Sequence, residues 1–241
     1  MRNIASNIKQ LVAQIAFEAE KCGRSSNAVS LLAVSKSQPA AAIREAFSAG
    51  QRAFGENYLQ EALDKITALG NKDIEWHFIG PIQSNKTRPI AENFAWVHSV
   101  DRLKVAARLS EQRPAGLPPL NVCLQVNVSG EDSKAGVAPQ DVPQLALSVA
   151  QLPGLRLRGL MAIPAPQPDV QKQRAPFFRL RQLLDTLRAL SPELEKLDTL
   201  SMGMSADMEA AIIEGATIVR VGTAIFGDRH YTQQQVSLER P

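Results

Sequence analysis

Short apolar runs alternate with longer amphipathic stretches along almost the whole of this 241-residue chain. The apolar runs are rich in Val, Ile and Leu and recur about every 27 residues, close to the length of one βα unit. The candidate strands are 30–35, 52–55, 76–79, 96–99, 122–128, 155–161, 197–201 and 218–222. The candidate helices between them are 40–49, 59–69, a short one near 91, 103–111, 142–151, 177–190 and 206–214. This alternation predicts a parallel sheet covered by helices.

Eight such units in 241 residues fit a closed (β/α)8 barrel better than an open doubly wound sheet. The run 122–128 is mostly apolar on both faces, as a strand covered on both sides must be. An open sheet remains the alternative, because periodicity does not reveal closure. Ahead of the first strand, apolar residues at helical spacing predict an extra amphipathic helix over residues 1–22. We therefore predict one α/β domain over 1–241, with a C-terminal tail at 230–241.

Charge and composition exclude several classes of function. The chain has 27 Lys+Arg against 24 Asp+Glu, too small a surplus for a nucleic-acid-binding stripe. Two cysteines do not make a disulfide scaffold, and His77, His98 and His230 are too scattered for a helix-borne metal pair. No signal peptide and no apolar stretch of about 20 residues is present in the sequence. These features predict a cytoplasmic protein without metal, nucleic acid or membrane partner.

A lysine follows the first candidate strand, in the run Leu31-Leu32-Ala33-Val34-Ser35-Lys36. Period-two alternation puts Leu32, Val34 and Lys36 on one face. In a barrel the C-terminal strand ends form the face that holds the active site. Burial there would favour the neutral, nucleophilic amine that Schiff-base lysines require. The alternative is a surface lysine whose amine extends into solvent.

Polar residues also follow two further strands. Asn57 either caps the next helix or offers its amide to a ligand. Ser201 ends the seventh candidate strand, Gly203 permits unusual backbone angles, and Ser205 is a natural N-cap for helix 206–214. Each residue has a structural explanation as well as a functional one.

Arg220 stands alone among the apolar residues of the last strand, and Gly222 and Thr223 follow it. Many barrels bind phosphate at the ends of strands seven and eight with backbone amides and short helix dipoles. A salt bridge for Arg220 and a tight turn for Gly222 are the structural alternatives. Their position beside the end of strand seven favours an anion site. Lys134, in the polar segment 130–136, is either a surface lysine or a ligand-steering one.

Together these segments resemble the pyridoxal phosphate (PLP) homeostasis protein family, whose barrel is similar to the N-terminal domain of alanine racemase. The resemblance runs nearly from end to end and rests on 32–36, 54–58, 76–86, 132–136, 159–164, 200–209 and 220–227. It implies a single (β/α)8 TIM barrel of PLP fold type III that lacks the second, β-rich domain.

The resemblance assigns contacts with pyridoxal 5'-phosphate to Lys36, Asn57, Ser201, Arg220, Gly222 and Thr223. The lysine would form a Schiff base with the PLP aldehyde, the arginine would face the pyridine nitrogen, and the asparagine would lie beside the ring. The serine, the glycine and the threonine would hold the phosphate. No catalytic residue is implied.

Two features bear on whether such a protein is an enzyme. An arginine beside the pyridine nitrogen disfavours protonation of that nitrogen, which makes the ring a weaker electron sink. Racemisation needs acid/base groups on both faces of the substrate, and related racemases take the second group from a β-rich domain of a paired subunit. The sequence ends about twenty residues after the last candidate strand, so we expect no such domain. Tyr58 and Tyr231 are the remaining candidates for the second group.

We therefore predict a non-catalytic, monomeric PLP-binding protein of vitamin B6 homeostasis that holds, buffers or delivers the cofactor. Apo forms of PLP-dependent enzymes are its expected transient partners. A weak PLP-dependent racemase or lyase acting on a small amino acid is one alternative. A phosphate-binding barrel enzyme without PLP is the other.

Overall fold

A computed structural model describes residues 3–130 and 135–227 of the chain. Eight strands, all parallel, form a closed barrel in sequence order, and the last strand pairs with the first. The strands are β1 Ser30–Val34, β2 Ala53–Glu56, β3 Glu75–Phe78, β4 Trp96–Val100, β5 Leu120–Gln125, β6 Leu155–Met161, β7 Thr199–Ser201 and β8 Ile218–Val221. The predicted barrel is confirmed, and the open sheet is excluded.

Helices cover the outside of the barrel. They are α1 Ile4–Lys21, α2 Ala40–Ser48, α3 Leu59–Leu69, α4 Thr87–Asn93, α5 Leu103–Glu111, α6 Val142–Ala150, α7 Val170–Leu190, α8 Met208–Ile213 and α9 Thr223–Phe226, with 3-10 turns at Ser84–Lys86 and Pro139–Asp141. The predicted N-terminal helix is therefore present, and the Asn3 side chain caps it by accepting from the Ser6 N–H. In the described part of the chain, no helix is both long and apolar enough to cross a membrane.

Strand residues divide between two environments by period-two alternation. Leu31 and Ala33 belong to the large core between barrel and helices, whereas Leu32, between them in sequence, does not. Trp96, Cys123 and Met161 form a separate buried cluster. Burial raises the pKa of the Cys123 thiol to about 12, so this cysteine is an unreactive core residue.

Several predicted boundaries are wrong, including those of α7, β5 and α8. Helix α7 begins at Val170 rather than at 177, because Asp169 caps it by accepting from the Lys172 N–H and Pro176 lies inside the helix. Strand β5 ends at Gln125 rather than at 128, and an isolated bridge between Val126 and Val137 follows it. Helix α8 is shorter than predicted at both ends. The predicted tail 230–241, Tyr231, His230 and Lys134 lie outside the described residues.

Candidate functional site

A cavity of about 300 Å³ opens at the C-terminal end of the barrel. The segments that line it follow β1, β2, β3, β6, β7 and β8, together with the residues around α9. The lining residues are Val34, Lys36, Gln38, Asn57, Ile79, Ile163, Met204, Ser205, Ala206, Arg220, Gly222, Thr223 and Gly227. Five of the six predicted contact residues therefore surround one cavity, and Ser201 is the exception.

Lys36 lies in a tight turn two residues beyond β1. The next residue, Ser37, has a φ of 60°, which a residue with a side chain seldom adopts. Helix α3 fixes this turn: the Ser37 N–H donates to Glu61 Oε1 at 2.6 Å, and Lys65 Nζ donates to the Ser35 carbonyl at 2.7 Å. The backbone that carries Lys36 is therefore held by neighbours outside the cavity.

A buried ion pair stands behind that turn. Glu56, the last residue of β2, is fully buried, and its Oε1 accepts from Lys65 Nζ at 2.8 Å and from Ser35 Oγ at 2.6 Å. Its Oε2 is buried without a hydrogen-bond partner among the described residues. Burial outweighs the attraction of Lys65 and raises the pKa of Glu56 to about 7.

Asn57 lies between β2 and α3 and does not cap the helix. The N-cap position of α3 is Tyr58, and no side chain makes the cap hydrogen bond. The buried Asn57 Oδ1 has no hydrogen-bond partner within the described part of the chain. Gly80 packs closely on the backbone, since a Cβ there would lie 2.0 Å from the Asn57 carbonyl oxygen. The amide is thus fixed at the cavity wall with an unused acceptor.

Arg220, the third residue of β8, is buried with 4% of its surface exposed. Its Nη1 donates to Ser201 Oγ and its Nη2 to the Ala162 carbonyl, both at 2.9 Å. Burial lowers its pKa to about 10, so the guanidinium remains charged near neutral pH. No Asp or Glu among the described residues forms an ion pair with it, and the structural salt bridge considered from the sequence is absent from that part of the chain.

Gly222 and Thr223 lie at the start of α9, where backbone N–H groups have no intrahelical acceptor. A Cβ on Gly222 would lie 3.0 Å from the Val34 carbonyl oxygen, so a side chain here would crowd the end of β1. Ser205 also lines the cavity. The prediction that Ser205 caps α8 is wrong, because the N-cap is Asp207, whose Oδ1 accepts from the Met204 N–H at 2.6 Å.

Ser201 lies beneath the cavity rather than in its lining. The residue is fully buried, and its Oγ accepts from Arg220 and lies 2.7 Å from His98 Nδ1. His98 in turn lies 2.9 Å from His77 Nδ1. The sequence interpretation missed this histidine pair because it considered only helical spacing. Among the described residues no cluster of His, Cys, Asp and Glu has the arrangement of a metal site.

The chain is similar to known proteins over nearly its whole length. The family model of the alanine racemase N-terminal domain matches residues 4–230. The pyridoxal phosphate homeostasis protein of Pseudomonas aeruginosa is 65% identical over 231 residues, which cover 96% of this chain and 98% of the relative. The Escherichia coli protein of the same name is 54% identical over 237 residues, covering 97% and 100%.

Solved structures extend the likeness to three dimensions. PipY of Synechococcus elongatus is similar without PLP (41% identity, TM-score 0.84) and with PLP bound (39% identity, TM-score 0.82). Each match covers 93% of this chain and 100% of the PipY chain. Alanine racemase of Corynebacterium glutamicum, at 18% identity and a TM-score of 0.71, shares the fold over 94% of this chain and 61% of its own. The chain therefore belongs to the pyridoxal phosphate homeostasis protein family.

Proposed function

We propose that this chain binds PLP in the cavity at the C-terminal end of the barrel and holds, buffers or delivers it without catalysing a reaction on it. The observation that carries the proposal is that Lys36, Arg220 and the first turn of α9 surround one cavity of about 300 Å³. That volume is at the lower end of the range for small-ligand pockets. The PLP bound to PipY, and the name shared by the relatives, support the choice of ligand.

The residues present fit PLP in three respects. Both charged side chains in the described lining, Lys36 and Arg220, are cations, which suits an anionic phosphate ester. The unused, buried acceptor of Asn57 would gain a hydrogen bond from a ligand donor, which removes the cost of an unsatisfied group. The absence of a side chain at Gly222 lets the ligand approach the backbone amides of α9.

Each residue then has a specific task. The Lys36 amine would hold PLP covalently as a Schiff base, with loss of water, and bound PLP would supply an electron-accepting ring. Arg220 would donate a hydrogen bond to the pyridine nitrogen, and Asn57 would orient the ring from its side. Gly222 and Thr223 would hold the phosphate.

We further propose that Ser205, which lines the cavity, takes the phosphate contact assigned to Ser201 from the sequence. Ser201 is occupied by Arg220 and His98, so its hydroxyl would act on the ligand through Arg220. Ser205 is exposed and follows Gly203, whose φ is 93°. Its hydroxyl is therefore accessible to a ligand that enters from solvent.

The chemistry of the lining favours a carrier over an enzyme. Among the described residues that line the cavity, the titratable side chains are Lys36 and Arg220. A guanidinium donates hydrogen bonds but has no acceptor with which to take a proton. Lys36 would therefore be the one acid/base group at the site, whereas racemisation needs one on each face. We propose that residues 1–241 act as one binding domain, as a monomer.

Borohydride reduction followed by peptide mass spectrometry tests the binding site. We expect PLP to be fixed on Lys36 in the native chain and to be lost from that peptide in Lys36→Arg. Lys196→Arg, which changes an exposed lysine lining a groove apart from the cavity, is the matched control and should label as the native chain does. Labelling spread over surface lysines, with none at Lys36, would refute the proposed site.

Two further measurements separate carrier from enzyme. Single chiral amino acids incubated with the PLP-loaded protein should keep their optical rotation, and turnover that disappears in Lys36→Ala would refute the non-catalytic role. Mixing PLP-loaded protein with an apo PLP-dependent enzyme, in the presence of a trap for free PLP, tests delivery. Activation of the apo-enzyme despite the trap would support direct transfer.

A further inference from the structure

A line of hydrogen-bonded side chains crosses the interior of the barrel and ends at the floor of the cavity. Glu75 Oε1 lies 2.8 Å from His77 Nε2, and His77 Nδ1 lies 2.9 Å from His98 Nε2. His98 Nδ1 lies 2.7 Å from Ser201 Oγ, which accepts from Arg220 Nη1 at 2.9 Å. We call Glu75, His77, His98 and Ser201 the polar relay.

The polar relay connects solvent with the cavity through a closed interior. Glu75 is the first residue of β3, at the N-terminal end of the barrel, and its side chain is 50% exposed. The other members are buried, with His98 and Ser201 fully enclosed. A buried polar chain of this length costs desolvation unless every member is satisfied, and each of the three buried members here has a partner on both sides.

The two ends of the relay determine the direction of its hydrogen bonds. The Glu75 carboxylate can only accept, so His77 donates to it from Nε2, and the bare Nδ1 of this neutral imidazole accepts from His98 Nε2–H. The bare Nδ1 of His98 then accepts from the Ser201 hydroxyl, whose oxygen accepts in turn from Arg220, a group that can only donate. This order places one proton in each link with both imidazoles neutral. It agrees with burial, which lowers the pKa of His77 and, further, that of His98.

Groups next to Glu75 stabilise the ionised form of its carboxyl group. Trp96 stacks on His77 with ring centroids 5.4 Å apart and planes 5° from parallel. The Arg158 guanidinium lies 4.6 Å from the Trp96 centroid and pairs with Asp198 at 2.6 Å. The hydrogen bond from His77, with smaller contributions from Trp96 and Arg158, lowers the pKa of Glu75. Glu75 therefore stays a carboxylate at neutral pH.

At the other end of the polar relay, Arg220 has few charged groups near it. Asp207 and Cys123 are the titratable groups that act on Arg220 through space, and the Cys123 thiol is neutral near pH 7 because burial raises its pKa to about 12. The guanidinium is therefore oriented by its bonds to Ser201 and to the Ala162 carbonyl.

We propose that the polar relay positions the Arg220 guanidinium at the cavity floor, and that the Glu75 carboxylate fixes the direction of its hydrogen bonds. Without that carboxylate the reverse order becomes accessible, in which His98 Nδ1 carries the proton and points at Ser201. The Ser201 hydroxyl proton then has no acceptor in a buried site, and the bond to Arg220 weakens. The inference rests on the proposed function only in taking PLP as the ligand that Arg220 contacts.

Nitrogen-15 NMR of the histidine rings tests the direction in the full chain without added PLP. We expect His77 and His98 to be neutral, with the proton on Nε2 and a bare Nδ1 in both. Glu75→Ala should give a mixture of the two tautomers. Protonation at Nδ1 in the native chain, or unchanged tautomers in Glu75→Ala, would overturn the proposal.

Titration with PLP, followed by absorbance, tests the consequence for the ligand. Glu75→Ala should weaken PLP binding about fivefold, the worth of one ordinary hydrogen bond, and Ser201→Ala about tenfold, the worth of one to a charged group. Ser201→Thr, which keeps the hydroxyl, should restore affinity. Asp198→Asn, which removes a carboxylate near the same end of the barrel but outside the relay, should bind as the native chain does.

These measurements separate the two proposals. Equal PLP affinity in the native chain and in Glu75→Ala would overturn the relay, while a native Lys36 adduct would leave the binding site intact. A native chain that binds no PLP would overturn the proposed function, and the histidine tautomers would still support or refute the relay. A loss of affinity in Asp198→Asn equal to that in Glu75→Ala would overturn the specific role of Glu75.

Discussion

Replacing Glu56 by Gln changes how the stability of the barrel depends on pH. Glu56 is fully buried at the end of β2, and burial raises the pKa of its carboxyl from 4.5 to about 7. Gln keeps the size and one hydrogen-bond acceptor for Lys65 and Ser35 but has no proton to gain or lose. The comparison therefore isolates the titration of one group.

The sign follows from proton linkage. Between its unfolded and folded pKa values, the Glu56 carboxyl binds more proton in the native chain than in the unfolded chain. Its contribution to stability is complete below pH 4.5 and is lost as the pH rises through about 7. At about 1.4 kcal/mol for each pKa unit, the native chain loses about 2–3 kcal/mol relative to Glu56→Gln between pH 5 and pH 8.

Urea unfolding followed by circular dichroism at a series of pH values measures this difference. The difference in free energy of unfolding, native minus Glu56→Gln, should fall steadily between pH 5 and pH 8. Removing the cation in Lys65→Met should extend that fall to higher pH, because Lys65 lowers the pKa of Glu56. It should also destabilise the chain, and by more as the pH rises, because the buried Glu56 carboxylate then lacks its cation. A native-minus-Gln difference that is constant with pH would refute the reasoning.

Three further changes test other parts of the structure. Thr223→Ala should weaken PLP binding without lowering the free energy of unfolding, as titration and urea unfolding together will show; unchanged affinity would remove Thr223 from the site. Gly159→Ala should destabilise the barrel by about 3 kcal/mol or more, because its Cβ would lie 1.9 Å from a carbonyl oxygen of β7; a stability like that of the native chain would contradict this packing. A thiol reagent should modify the exposed Cys22 in the native protein and Cys123 only after unfolding; mass spectrometry distinguishes the two, and rapid native labelling of Cys123 would contradict its burial.

The strands can be predicted from the sequence wherever they are covered on both sides. Such strands are continuous apolar runs, as in the segment that forms β1. Their number and spacing favour a barrel, but closure is seen only in the structure, where β8 pairs with β1. Boundaries are weaker because they depend on competing local signals. Proline is common at the first position of a helix, so Pro176 suggests a start near that residue. The helix in fact begins at Val170, because Asp169 caps it, and its first turns are polar and show no apolar stripe.

The sequence predicts those site residues that lie at the C-terminal ends of candidate strands. Lys36 and Arg220 stand out as charged residues attached to apolar strands, and both line the cavity. The choice between Ser201 and Ser205 depends on how far β7 runs and which face its last residue occupies. The His77–His98 contact depends on the register between β3 and β4. The sequence of either strand alone does not determine that register.

Two buried polar networks support the two cations of the cavity from behind. Lys65 and Glu61 hold the turn that carries Lys36, and the polar relay reaches Arg220 from the opposite end of the barrel. Each network contains a carboxylate, but among the described residues no carboxylate lines the cavity. The compensating negative charge is therefore kept behind the cations, and the cavity itself remains positive. A phosphate ester that also carries an aldehyde for Lys36 and a ring nitrogen for Arg220 would gain from both residues at once, so we expect the cavity to bind PLP more tightly than a simple phosphate ester.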